Sequence, residues 1–133
     1  MRLVRFLVLG ALVMTGCATT IDPTVTEVPV IDTTTTLPAG PATELLPMLV
    51  TEAGRLSEII GSRGKKNDQL LTITNLYDAV RPELADTNGV TAQRFDGAVE
   101  LCKKATKFNR PADADKCFNN LTVLTTSYLA AQP

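Results

Sequence analysis

The thirty residues from Phe95 to Leu124 read FDGAVELCKKATKFNRPADADKCFNNLTVL, and they decide the fold. Apolar side chains recur at three- and four-residue steps on both sides of Asn109-Arg110. That period belongs to amphipathic helices. Pro111 is suited to the first turn of a helix, because its missing N–H is unpaired there in any case. An antiparallel hairpin turning at Asn109-Arg110 brings together residues whose numbers sum to about 219. Cys102 and Cys117 satisfy that sum. So do Ala105 with Ala114, Leu101 with Phe118, Ala98 with Leu121 and Phe95 with Leu124. One hairpin register therefore predicts a Cys102–Cys117 disulfide, small residues beside the turn and apolar layers along one seam. A loop of about 15 residues closed in this way is worth about 3 kcal/mol in the chain-entropy model.

Working back from the hairpin, two more amphipathic segments complete an all-α domain of about four helices over residues 42–133. The first is expected from about Thr43 to Ile60, with Thr43 as its N-cap and Leu45, Leu49, Leu56 and Ile60 on one face. The second is expected from about Asn67 to Val80, with Leu70, Ile73, Tyr77 and Val80 as its stripe. Pro82 disfavours helical geometry at Arg81, so this helix should end or bend there. Asp86-Thr87-Asn88-Gly89 reads as a turn. The third helix is expected over about Thr91–Phe108 and the fourth over about Pro111–Ala130. Residues 42–133 hold as many acidic as basic side chains and lack Trp. A core of this size, built from Leu, Ile, Val and Ala, gains from a covalent staple.

Residues 17–41 show neither helical nor strand period. They are rich in Thr and Pro, contain no Lys or Arg, and carry Asp22, Glu27 and Asp32. Such a composition predicts a disordered tether. It would reach about 75 Å if fully extended and about 30 Å as a flexible coil. The short apolar island Val28-Pro29-Val30-Ile31 stands out within it. A pairing of that island with the strand edge of a partner is one reading; a plain spacer is the other.

Arg2 and Arg5 precede an apolar run from Phe6 to Met14, which leads into Thr15-Gly16-Cys17. A charged start, an apolar middle and small residues before a cut make a secretory signal peptide, assigned to residues 1–16. The run is too short for a spanning helix, which needs about 20 residues. The segment resembles the signal of bacterial lipoproteins. Thr15, Gly16 and Cys17 match the lipobox, and Met14 stands where Leu is usual. The resemblance covers residues 1–17 only. It implies that Cys17 becomes the first residue of the exported chain, carries acyl chains of the palmitate type, and holds the protein on the extracytoplasmic side of the cell membrane. An exported compartment also favours oxidation of Cys102 and Cys117.

The chain has no histidine, which removes the commonest general base and metal ligand. Ser57, Ser62 and Ser127 therefore have no such partner. Cys102 and Cys117 lack the Cys-x-x-Cys spacing of redox motifs, and two thiolates do not complete a metal site. Asp96 and Glu100 share a helix face, but lysines follow one turn later, the usual solvated pattern. Asp113 and Asp115 suit the start of a helix. No catalytic residue, cofactor or metal is expected, and no nucleic-acid partner is implied by the balanced charge. Lys103, Lys104, Lys107 and Arg110 form a basic cluster late in the third helix, and Arg63, Lys65 and Lys66 form a second in a loop. Cations at a helix C-terminus stabilise it. They are also the candidate contacts for an anionic partner.

The expected function is accordingly that of a membrane-anchored, non-enzymatic module binding an envelope protein or polymer. The alternative is a pocket for a lipid or metabolite lined by Leu70, Ile73, Tyr77 and Val80. Intact mass of the protein from its native membrane, without reductant, tests the processing. A chain beginning at Cys17, heavier by acyl groups and lighter by the hydrogens of one disulfide, is expected. A mass retaining Met1 with free thiols contradicts both.

Overall fold

The computed structural model describes residues 36–133; the segment read as a signal peptide, Cys17 and the expected tether up to residue 35 lie outside the described residues. Four helices account for nearly all of the remainder: α1 Ala42–Gly61, α2 Lys66–Thr87, α3 Gly89–Phe108 and α4 Pro111–Ala130. No strand occurs among the described residues. Connections of four, one and two residues separate consecutive helices. Links this short force neighbours to run antiparallel. α1 packs on α2 and α4, and α3 packs on the same two, so α1 and α3 sit on one diagonal of a square bundle. One end, here called proximal, holds the start of α1 and the α2–α3 junction. The distal end holds the α1–α2 loop and the α3–α4 turn.

Each helix buries the stripe that its period specifies. Leu45, Leu46, Leu49, Ala53, Leu56 and Ile60 of α1 meet Ile73, Leu76, Tyr77, Val80 and Leu84 of α2. α3 adds Phe95, Ala98, Val99, Cys102 and Ala105, and α4 adds Ala114, Cys117, Leu121 and Tyr128. Cys102 and Cys117 form the expected disulfide between α3 and α4, with Cα atoms 5.4 Å apart. Both are fully buried, as are Ala105 and Ala114 one layer nearer the turn. Phe118 turns toward α1, where its ring lies against Gly54. A Cβ added there would come within 3.2 Å of the ring, so the α1–α4 approach uses the absence of a side chain at Gly54.

Three local expectations are corrected. Thr43 is not the N-cap of α1. Pro41 takes that place in extended geometry and offers no side-chain cap. The Ala42 N–H instead donates to Glu83 Oε2 of α2 at 2.8 Å. α2 does not end before Pro82 but continues to Thr87. A proline inside a helix costs about 3 kcal/mol. Here the turn beyond it buries Leu84 and carries Glu83, which also accepts from the Tyr128 hydroxyl of α4 at 3.1 Å. Those tertiary contacts outweigh the local preference. Finally, the Asp86–Gly89 turn shrinks to Asn88 alone. Its N–H bonds to the Leu84 carbonyl at 3.0 Å, closing α2. Its side chain accepts from Val90 N at 2.9 Å, capping α3. One residue thus ends one helix and begins the next.

The α3–α4 turn shows the same economy. Asn109 adopts left-handed geometry, φ 52°, which Asn tolerates better than most residues. The Arg110 N–H then reaches back to the Ala105 carbonyl at 2.9 Å, satisfying a terminal acceptor of α3.

Thr125 of α4 is buried, and its hydroxyl has no hydrogen-bond partner among the described residues. An unpaired buried hydroxyl costs about 1–3 kcal/mol. Thr125→Val keeps the shape and removes the orphan. It is expected to raise the urea midpoint, corresponding to about 1 kcal/mol of added stability. A lowered midpoint would show that the hydroxyl has a partner, such as a bound water.

Candidate functional site

The two basic clusters of the sequence meet at the distal end. Lys66, the first residue of α2, crosses to the end of α3. Its Nζ donates to the Thr106 carbonyl at 2.9 Å and to the Asn109 side-chain oxygen. Both acceptors are neutral, so the lysine closes a helix terminus while its charge stays uncompensated by a carboxylate. The α1–α2 loop is thereby drawn against the α3–α4 turn. Between them lies an open hollow of about 590 Å³ lined by Ile60, Gly61, Arg63, Gly64, Lys66, Asn109 and Pro111. Arg63 takes left-handed geometry, φ 57°. The loop is fixed by bonds from Ser62 N to the Glu58 carbonyl and from Gly64 N to the Ile59 carbonyl, each 2.8 Å.

Phe108, the last residue of α3, is 53% exposed although it is a large apolar side chain. Lys107 Nζ lies 5.4 Å and the Arg110 guanidinium 5.3 Å from its ring centroid. Both distances fall within cation–π range. Arg110 also stands 3.7 Å from Asp113, a carboxylate it shares with Lys116 at 3.4 Å. Lys103 is paired with Glu100 at 3.7 Å one turn further back on α3. Arg63, Lys65, Lys104 and Lys107 have no carboxylate within ion-pair distance among the described residues.

Of the four cluster residues read from sequence, the structure thus brings Lys107 and Arg110 to one aromatic ring. It ties Lys103 to Glu100 and leaves Lys104 exposed between them. Sequence reasoning missed Phe108, and it named Lys66 as a loop cation without foreseeing its bonds to the end of α3. The signal for Phe108 was its position at the helix end, immediately before the turn, where an apolar side chain has little core to join.

Asp96 does not act with Glu100. It is held across the α2–α3 interface, receiving Arg81 Nε at 2.9 Å, Arg81 Nη2 at 3.1 Å and the Tyr77 hydroxyl at 2.6 Å. The Arg81 hydrogen bonds, followed by that of Tyr77, push the Asp96 carboxyl below its ordinary pKa. Burial, aided by Asp96, pushes the Tyr77 hydroxyl up. Tyr128 is also raised, first by burial. These groups read as structural. The stripe proposed to line a pocket is core: Ile73, Tyr77 and Val80 are buried and Leu70 is half-buried. Among the described residues no cluster of three metal-ligating side chains occurs. What the distal end can do chemically is attract phosphate, sulfate or carboxylate groups and offer an aromatic face. No protein-family model, curated protein or solved structure matches the chain.

The Asp96 pairing makes a pH prediction with a fixed sign. A carboxyl whose folded pKa is depressed contributes stability above its unfolded pKa, about 3.9, and loses it as pH falls through the lower folded value. Arg81→Ala is therefore expected to lower the urea midpoint near neutrality, and the gap between variant and parent should close under acid. Both side chains are more than a third exposed, so the effect is small. A gap that does not change with pH would show that Arg81 acts through packing alone.

Proposed function

We propose that this is an exported, lipid-anchored envelope protein whose helical domain is a non-enzymatic binding module, and that its basic distal end contacts an anionic protein or envelope polymer. The observation that carries the reading is the Lys66 bridge, which joins the basic α1–α2 loop to the end of α3, where Lys107 and Arg110 flank an exposed ring. Cations that neutralised helix termini alone would not need Arg63 and Lys65, which belong to a loop, nor an aromatic side chain held out between Lys107 and Arg110.

Photo-crosslinking in cells from a reactive residue at position 108 is expected to capture one dominant adduct. Arg63→Glu with Lys107→Glu should reduce capture more than tenfold, since two exposed charge pairs are each worth about 1 kcal/mol. Added salt should lower capture by the parent and so narrow that difference. Equal capture by the charge-reversed protein, or by a probe at the proximal end, would overturn the assignment.

A further inference from the structure

The solvent-facing side of α3 carries a second periodic stripe. Its inner stripe, with Phe95, Val99 and Cys102, joins the core. Away from the core, Val90, Arg94, Gly97, Leu101, Lys104 and Phe108 follow one another at steps of four and three. Residues so spaced form one ridge along a helix, and the alternation is that of a seam that packs on another helix. Leu101 is half-buried and the other five are exposed. Val90 is 57% and Phe108 53% exposed, so both ends of the ridge offer a large apolar side chain to solvent.

The ridge is complementary to itself. Laid antiparallel on a second copy, with facing numbers summing to 198, Gly97 meets Leu101, Val90 meets Phe108 and Arg94 meets Lys104. A two-fold axis at the level of Val99 then relates the copies, and every contact occurs twice. A small residue faces a large one at the centre, where the backbones must approach. A Cβ on Gly97 would meet nothing within 4 Å, so the fold itself does not use the open side of this glycine.

The surface beside the ridge has matching relief. A hollow of about 370 Å³ lies at Gly97, walled by Ala98, Val123 and Leu124. A second, of about 310 Å³, lies nearer the proximal end, where Asn88 and Thr91 line it. Val90 and Gly97 are seven residues apart, and so are Leu101 and Phe108. The partner's Leu101 therefore reaches the first hollow when the partner's Phe108 stands beside the second. Val123, 64% exposed, is level with Gly97 across the hairpin and extends the wall around the partner's Leu101.

One layer opposes like charges, because Arg94 faces the partner's Lys104. Arg94 has no carboxylate within ion-pair distance among the described residues. The partner's Glu100, one turn from the partner's Lys104, brings a carboxylate to that layer.

We propose that two copies of this chain pair through α3 in this antiparallel register as a weak, closed dimer. An interface one helix long, about 30 Å, is small beside those of stable dimers. The pairing covers Phe108, so self-association and capture of an anionic partner at that ring exclude each other. Arg63, Lys65 and Lys66 lie outside the ridge.

Sedimentation equilibrium of the purified exported chain, residues 17–133 with Cys17→Ser, tests this up to about 1 mM protein, a range that reveals weak pairing. A monomer–dimer equilibrium without larger species is expected, because an isologous contact closes on itself. Gly97→Gln sets a long side chain against the partner's Leu101 and should weaken the dimer more than tenfold. Its urea midpoint should not fall, since glycine is the poorer residue in a helix interior. Lys104→Glu turns both like-charge contacts into opposite-charge ones and should tighten the dimer about tenfold. Leu71→Gln removes a side chain 55% exposed on α2 and should leave the dimer unchanged. A monomer at every concentration, open-ended growth, undiminished pairing by Gly97→Gln, weaker pairing by Lys104→Glu or a loss with Leu71→Gln each overturns the proposal. The sample holds no envelope component, so either result leaves the proposed anionic partner to its own test.

Discussion

The bond between Cys102 and Cys117 fixes how α3 and α4 are rotated against each other, and the other helices pack on the surface that this rotation presents. With both sulfurs buried and the Cα atoms 5.4 Å apart, the two helices have one register available. That register brings Ala105 to Ala114 beside the turn, where backbones approach, and turns Ala98 and Leu121 inward a layer away. α1 and α2 pack over that seam. Fewer than a hundred residues without Trp bury too little for packing alone to give a wide margin. A cross-link that constrains the unfolded chain compensates for that size.

Covalent closure in the middle is matched by single side chains at the ends. A helix leaves four N–H and four carbonyl groups without internal partners at its termini. Glu83 receives the first N–H of α1 and the hydroxyl of Tyr128, tying three helices at the proximal end. Lys66 covers the Thr106 carbonyl and the Asn109 side chain at the distal end. Each is a charged group in contact with neutral partners from another helix. Such contacts contribute more than exposed ion pairs, whose net worth is small. The bundle therefore depends little on Arg55–Glu52 or Lys103–Glu100, which join residues one turn apart on the same helix.

What could be read from sequence was whatever repeats locally or pairs by arithmetic. The four helices, the start of α4 at Pro111 and the disulfide register all belong to that kind. The misses share a cause in tertiary structure. Pro82 forbids a local hydrogen bond, and only the burial of Leu84 and the double use of Glu83 explain why α2 continues past it. Asn88 looked like one member of a four-residue turn because nothing local shows that its two sides are already satisfied by Leu84 and Val90. At the candidate site, Lys107 and Arg110 were visible as charges. Their union with Arg63 and Lys66 was not, because forty residues separate the clusters and only the bundle's topology places both loops at one end.

Four helices running alternately must place the start of α1 and the α1–α2 loop at opposite ends. The hollow lined by Arg63, Lys66 and Asn109 therefore lies about a bundle's length, about 30 Å, from Ala42. Glu83 and Lys66 close those two ends with different chemistry: a carboxylate receives a helix N–H and a hydroxyl at one, and an ammonium covers a helix carbonyl at the other. Of these two closures, the polarity of the helices thus leaves uncompensated positive charge at the distal one alone.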